Sequence, residues 1–141
     1  MMQQFYPQTQ HSFRFELNKD LHLSAAHFIP HEDAGNCKTM HGHTYFINVT
    51  IAGDQLDELG FLIDFKVLKH LVHKKYDHTV LNDHPEFKDK FPTTELFAEQ
   101  IWMTISNHLK TISSQPKCVR VLVRETPTSY VVYRPKAEDL V

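Results

Sequence analysis

The chain has 141 residues, of which 41% are hydrophobic and 23% are charged, and its formal net charge is −2 with neutral histidines. This composition is typical of a globular domain, and we expect one domain over residues 1–141, with residues 1–12 as a loose N-terminal segment. The slightly acidic balance gives no electrostatic basis for binding nucleic acid or an anionic membrane surface.

Two features of the sequence predict a cytoplasmic protein. The first residues lack the basic and apolar regions of a secretory signal, and no apolar run has the length of a membrane-spanning helix. Cys37 and Cys118 are the only cysteines. They could pair, but two cysteines do not make a disulfide framework, so we expect reduced thiols.

Strict alternation predicts two long strands in the first third of the chain. In residues 13–28 most apolar side chains fall on odd positions, which is the period of a strand with one buried face, and we expect a bulge near residues 18–20. The odd positions of residues 41–51 form a second apolar face, and its first two members are histidines. Extending the odd face of the first strand by one step reaches His27.

Helical periodicity follows in the middle of the chain. Asp64 is a good N-cap for a helix whose apolar residues recur at helical spacing as far as Tyr76. Residues 93–95, Thr-Thr-Glu, offer a capping hydroxyl for a second helix with an apolar stripe. Alternating valines then predict a third strand, and residues 130–134 predict a fourth. This order predicts an α+β fold, in which a four-stranded antiparallel sheet carries two helices on one face.

The three histidines on the odd-numbered strand faces predict a metal site. Side chains at i and i+2 of a strand point the same way, so His41 and His43 can converge on one ion. Zinc accepts imidazole nitrogens, and a catalytic zinc site commonly has three protein ligands and an open position. An isolated His-x-His is more often two polar residues at a strand start. His27, ending the neighbouring strand on the same face, favours the metal site.

The two cysteines call for different interpretations. Cys37 could be a fourth ligand that closes a structural zinc site, or a thiolate held near the metal as a nucleophile or base, and spacing alone does not separate these. Cys118 begins a valine-rich strand, and we expect it to be a buried hydrophobic residue.

Three further polar residues interrupt the apolar pattern. Glu125 continues the face of the valine-rich third strand, where it either binds a ligand with adjacent N–H groups or is solvated at a frayed strand end. Asp77 and His78 follow the first helix. Such a pair can transfer protons, but for an isolated Asp-His an exposed helix terminus is the more common explanation.

Taken in order, these motifs resemble those of the 6-pyruvoyl-tetrahydropterin synthase and 6-carboxy-tetrahydropterin synthase family. The resemblance extends over residues 13–134. Three residues separate Cys37 from the His-Gly-His, and this spacing is similar to that in the bacterial queuosine-pathway branch of the family. The matching segments are "SAAHF", "CKTMHGHTY", "GFLIDFKVLK", "YDHTVLND", "FPTTELFAEQIW" and "VRETPTSY".

The resemblance implies the tunnelling fold, in which subunits join their sheets into trimeric barrels and two trimers stack into a homohexamer with active sites between subunits. It implies Zn²⁺ as cofactor and a pterin triphosphate as the small-molecule partner. It also implies site roles: His27, His41 and His43 as zinc ligands; Cys37 as the proton-abstracting base; Asp77 and His78 as its acid–base partners; Glu125 as the anchor of the pterin ring; and Thr93 and Thr94 as further pterin contacts.

The reaction implied is that of a carbon–carbon lyase. It converts 7,8-dihydroneopterin triphosphate to 6-carboxy-5,6,7,8-tetrahydropterin, with release of acetaldehyde and triphosphate, in queuosine (7-deazaguanine) biosynthesis. One alternative is the pyruvoyl-forming synthase, which eliminates triphosphate without cleaving the side chain. The other is a non-catalytic zinc-binding assembly module in which Cys37 completes a closed site.

Overall fold

The structure is a computed structural model that describes residues 6–141 of the chain. Within these residues it contains five strands and two α-helices, joined by loops and short 3-10 segments. In chain order they are β1 (Phe15–His27), β2 (His41–Gly53), α1 (Phe65–Tyr76), β3 (Thr79–Val80), α2 (Thr94–Leu109), β4 (Lys117–Thr126) and β5 (Ser129–Tyr133). No helix in this part of the chain is long and apolar enough to cross a membrane.

The strands form one sheet in the order β3-β1-β2-β4-β5. The α+β class and the four antiparallel strands are confirmed, but the predicted strand count is wrong. A fifth strand, β3, pairs in parallel with the outer edge of β1, through Thr79 beside Ala25 and Val80 beside Ala26. Two residues are too short to carry an alternating pattern, so the sequence gives no periodic signal for β3.

The irregularity in strand pairing lies at a different place from the predicted bulge. β1 and β2 pair continuously from Phe15 opposite Gly53 to His27 opposite His41, so the bulge expected at residues 18–20 is wrong. The irregularity lies instead between β2 and β4, at Thr50 and Ile51. Because of this shift, Cys118 joins Val121 and Val123 in the core cluster beneath the helices, whereas Val119 is buried outside that cluster.

Both helices begin at the predicted capping residues. Asp64 accepts a hydrogen bond from the backbone N–H of Lys66 at 2.9 Å, and Thr93 accepts one from Leu96 at 3.2 Å. Each cap satisfies one of the backbone donors that a helix start leaves free. The predicted apolar stripes are buried against the odd-numbered face of the sheet; they comprise Leu68, Val72 and Tyr76 of α1 and Phe97, Ile101, Ile105 and Leu109 of α2.

The opposite face of the sheet carries even-numbered polar residues, which are buried on β2 and β4 and exposed on β1. Asn48 accepts a hydrogen bond from the guanidinium of Arg120 and donates one to Asp20 at 2.9 Å. Thr50 donates to Asn18 at 2.7 Å. The hydroxyl of Tyr6 also donates to Asp20, at 2.8 Å, so the segment before β1 lies across this polar face.

Candidate metal centre

The predicted histidines meet where β1, β2 and β4 end at one edge of the core. His27 closes β1 and stands opposite His41, the first residue of β2, while His43 stands opposite Ala25. All three continue the odd-numbered face that is apolar further along the sheet. Tyr45 lies beneath them, with its ring centroid 5.6 Å from that of His43. The alternation that builds the core therefore also aims the imidazoles at one point.

The four-residue cluster of His27, His41, His43 and Glu125 could hold a metal ion, because one ligand atom from each lies within 4.8 Å of the others. The imidazole ring centroids are 4.6 Å apart for His27 and His41, and 4.8 Å apart for His41 and His43. Rings this close can each aim one nitrogen at a single ion, as zinc–nitrogen bonds of about 2.0–2.1 Å require. The structure thus brings together the three residues that the sequence predicted as ligands.

Backbone carbonyls determine which imidazole nitrogens face the centre of this cluster. The Nδ1 of His27 lies 2.8 Å from the carbonyl oxygen of Pro92, and the Nδ1 of His41 lies 2.8 Å from that of Thr39. A carbonyl can only accept, so each Nδ1 carries the proton and each neutral ring presents an Nε2 lone pair. The two Nε2 atoms lie 3.0 Å apart, a repulsive contact unless a cation or a shared proton lies between them.

The third imidazole also lacks a partner that the protein itself supplies. The Nε2 of His43 is buried and makes no hydrogen bond, although Glu125 Oε1 lies 3.1 Å away. Buried polar atoms without partners are uncommon and often indicate an absent ion or water. This orphaned nitrogen and the facing lone pairs fit a divalent cation, so the donor set passes a chemical test for metal binding.

The protonation state of the imidazoles also suits a metal. Burial lowers the pKa of both His27 and His43, and this outweighs the nearby Glu125 carboxylate, which acts in the opposite direction. Both rings are therefore in the neutral form, which is the form that binds metals.

Glu125 occupies a position that the sequence did not fully predict. It lies one residue beyond the pair of Phe46 and Arg124, and its Oε1 is 3.4 Å from the Nε2 of His27. Sequence periodicity indicated that Glu125 continues the core face, but its approach to the histidines depends on the register of β4 against β2. The carboxylate is partly exposed, and it could contact either an ion or a ligand bound there.

The two cysteines lie in contrasting environments. Cys37 is exposed, in the 3-10 segment Glu32–Lys38, and is not a member of the four-residue cluster. Its carbonyl accepts a hydrogen bond at 2.8 Å from the backbone N–H of Ile29, two residues after His27. Cys118 is buried as predicted, and burial raises the pKa of its thiol to about 12. Cys118 is therefore an inert hydrophobic residue, and Cys37 is the accessible thiol.

Asp77 and His78 form a hydrogen-bonded pair beyond the end of α1. Asp77 Oδ2 lies 2.8 Å from His78 Nδ1, and Asp77 Oδ1 accepts from the backbone N–H of Ser24 at 2.9 Å. The bond to Ser24 is the main cause that lowers the pKa of Asp77, so the group is a carboxylate. The imidazole of His78 is largely exposed, and the pair lies outside the four-residue cluster.

The start of α2 lies beside the candidate metal centre. Pro92, whose carbonyl holds His27, directly precedes Thr93, the N-cap. The Thr93 hydroxyl is engaged in capping, and Thr94 is buried. The roles of Pro92 and Thr39 had no sequence signal, because each acts through a carbonyl that every residue possesses.

Comparisons with known proteins agree on one family. A family model described as 6-pyruvoyl tetrahydropterin synthase matches residues 16–136. The 6-carboxy-5,6,7,8-tetrahydropterin synthase of Bacillus subtilis (strain 168) is 59% identical over 144 residues, covering 99% of either chain. The 6-pyruvoyl tetrahydrobiopterin synthase of Dictyostelium discoideum is 34% identical over 105 residues, covering 71% of this chain and 74% of that one. The solved structure of Caenorhabditis elegans 6-pyruvoyl tetrahydropterin synthase aligns with a TM-score of 0.68 at 25% identity, covering 86% and 96% of the respective chains.

Proposed function

The chain belongs to the 6-pyruvoyl tetrahydropterin synthase family, and from this membership we propose that it is a carbon–carbon lyase, a 6-carboxy-5,6,7,8-tetrahydropterin synthase. Its fold is the tunnelling fold of that family. The proposed reaction converts 7,8-dihydroneopterin triphosphate to 6-carboxy-5,6,7,8-tetrahydropterin, acetaldehyde and triphosphate, in queuosine biosynthesis, and the proposed location is the cytoplasm. The observation that carries the proposal is the 59% identity over nearly the whole length of the Bacillus subtilis synthase.

The proposed cofactor is Zn²⁺, held by His27, His41 and His43. When bound there, zinc would supply Lewis acidity toward oxygen atoms of the substrate side chain. The facing Nε2 lone pairs and the carbonyls that orient them support this ligand set. Three imidazoles leave an open position, as catalytic zinc sites require.

The proposed base is the thiolate of Cys37, which removes a proton from a side-chain carbon of the substrate. The exposed position of this thiol supports the role, since the thiol can be reached by a ligand. Asp77 and His78 are the proposed acid–base pair. The carboxylate of Asp77 holds Nδ1 of His78 and orients Nε2 toward solvent or substrate, where it can give or receive a proton.

Glu125, Thr93 and Thr94 are the proposed substrate contacts. Glu125 accepts hydrogen bonds from the N–H groups of the pterin ring, and its partly exposed carboxylate beside the histidines supports a ring bound next to the metal. The threonines lie at the start of α2, adjacent to the residue that holds His27.

The proposed assembly is a homohexamer of two stacked trimers with sites between subunits. In the described chain, the Asp77–His78 pair and Cys37 stand outside the four-residue cluster. A site that is completed by residues of a second copy of the chain would account for this separation. The edge of β5 that does not pair with β4 is available for joining sheets.

Product analysis tests the proposed reaction directly. Zinc-loaded protein is incubated with 7,8-dihydroneopterin triphosphate, and every product is identified by mass spectrometry. We expect the 6-carboxy product together with acetaldehyde. Triphosphate release with a pyruvoyl product and no acetaldehyde would instead assign the activity for which the Dictyostelium relative is named. Absence of turnover by a zinc-loaded protein would favour a non-catalytic module.

Substitution of the thiol separates a base from a zinc ligand. We expect Cys37→Ala to retain about one zinc per chain and to lose roughly 10²- to 10⁴-fold in kcat, the usual contribution of a proton-transfer group. Cys118→Ser is the matched control for thiol loss away from the site, and zinc content and kcat are measured for both. Loss of zinc on Cys37→Ala would show a closed structural site and contradict the proposal.

A further inference from the structure

The segment from Asp77 to Asn82 is hydrogen-bonded along the outer edge of β1, toward the metal centre. The backbone N–H of His78 donates to the carbonyl of Ser24 at 2.6 Å, beside the bond from Ser24 N–H to Asp77. The two residues of β3 then pair with Ala25 and Ala26. This edge therefore joins the acid–base pair to the strand that ends in His27.

Asn82 continues this pairing with its side chain after the backbone has turned away. Residues Leu81–Asp83 form a 3-10 turn, so their peptide groups no longer run beside β1. Asn82 Oδ1 accepts from the backbone N–H of Phe28 at 3.1 Å, and Asn82 Nδ2 donates to the carbonyl of Phe28 at 3.0 Å. The amide thus stands in for the peptide group of a longer strand, with its own acceptor and donor.

The bonds made by Asn82 act on the residue next to a proposed metal ligand. Three consecutive residues at the end of β1 are each held by a different segment: the His27 ring by Pro92, Phe28 by Asn82, and Ile29 by Cys37. Two of these contacts are made by main-chain carbonyls, which a substitution leaves in place. The contact with Phe28 is made by a side chain and can be removed.

We propose that Asn82 is a positioning residue that holds His27 in place for the metal. The inference rests on the metal centre of the proposed function. A ligand imidazole must lie within a few tenths of an ångström of its place to bind well, and removing an outer partner of a metal ligand typically weakens binding about 10- to 100-fold. Loss of the two bonds to Phe28 loosens the backbone directly after His27, although His27 itself stays paired with His41.

Two variants test this role through metal binding rather than activity alone. Asn82→Ala removes both bonds, whereas Asn82→Gln keeps the amide but displaces it by one methylene group. Zinc affinity is measured by competition with a chelator, and the absorption bands of the Co²⁺-substituted protein report the ligand geometry. We expect zinc affinity to fall about tenfold or more in Asn82→Ala and by less in Asn82→Gln, with altered cobalt bands in both. If Asn82→Ala does not fold, Asn82→Gln decides the question.

A general loss of stability must be separated from a loss of positioning. Ile105→Val is the control, because Ile105 is fully buried in α2 and lies outside the four-residue cluster. It should lower the midpoint of urea unfolding without changing zinc affinity or the cobalt spectrum. Wild-type affinity and spectrum in the folded Asn82 variants would overturn the proposal, whatever their stability. A wild-type protein that binds no zinc, or binds it and turns over no pterin, would instead contradict the proposed function.

Discussion

At the scale of single residues, the chemistry of the site depends on which nitrogen of each imidazole carries the proton. His27 and His41 each donate from Nδ1 to a main-chain carbonyl, so their Nε2 lone pairs face inward before any ion arrives. A preformed donor set needs little reorganisation on binding, which favours affinity. The local backbone at Thr39 and Pro92 is therefore as much a part of the site as the histidines.

The buried histidines predict how the metal-free protein responds to acid. Burial lowers the pKa of His27 and His43 in the folded state below the ordinary value of 6.5, so the unfolded chain takes up protons first as the pH falls. The contribution of these two histidines to the free energy of unfolding is then fully present above about pH 6.5 and decreases below it. Urea unfolding of chelator-treated protein across this range should show a falling free energy of unfolding, and His27→Asn should flatten the slope. A free energy that rises on acidification would contradict this reasoning.

Substitution of Glu125 distinguishes a substrate contact from a fourth metal ligand. Glu125→Gln keeps the size of the side chain and removes its charge. We expect it to retain zinc, because three imidazoles remain, and to lower kcat/KM by about 10- to 100-fold, the effect of losing a hydrogen bond to a charged group. Glu138→Gln, at an exposed position in the 3-10 segment Ala137–Leu140, is the control for charge removal. Zinc loss on Glu125→Gln would make Glu125 a ligand instead.

At the scale of elements, the helices and long strands were predictable because each has a local, repeating pattern. The caps at Asp64 and Thr93 and the stripes behind them needed no knowledge of the rest of the chain. The two-residue β3 and the bulge at Thr50 and Ile51 were not predictable, since both are set by pairing with a distant strand. The same reason explains the site: the histidines follow from alternation, whereas the approach of Glu125 depends on strand register.

The buried stripe of α2 gives a direct test of the packing. Ile101 is fully buried, whereas Met103, two residues later on the same helix, is 40% exposed. Truncating a buried isoleucine leaves a cavity and removes apolar contacts, so Ile101→Ala should lower the free energy of unfolding by about 2–5 kcal/mol. Met103→Ala should change it by only about 0.5 kcal/mol or less. Chemical denaturation of both metal-loaded variants measures the difference; equal losses would contradict the assigned helix face.

At the scale of the whole molecule, the proposed hexamer predicts a mass near six times the 16.5 kDa of one chain. Light scattering coupled to size-exclusion chromatography measures it. Mixing inactive Cys37→Ala subunits with inactive His78→Ala subunits should restore part of the activity, because some shared sites then receive one intact residue from each chain. A monomeric protein with full activity would contradict sites formed between subunits.

The polar face of the sheet limits how any such assembly can be built. The side chains of Asp20, Asn48, Thr50 and Arg120 are already hydrogen-bonded to one another and to Tyr6. Covering them with an apolar surface would leave their remaining donors and acceptors unsatisfied. A ring of subunits that closed over this face would therefore enclose a water-filled channel rather than a second hydrophobic core. The cohesion of the ring would have to come from strand edges and loops, and its centre would remain open to water and small ions.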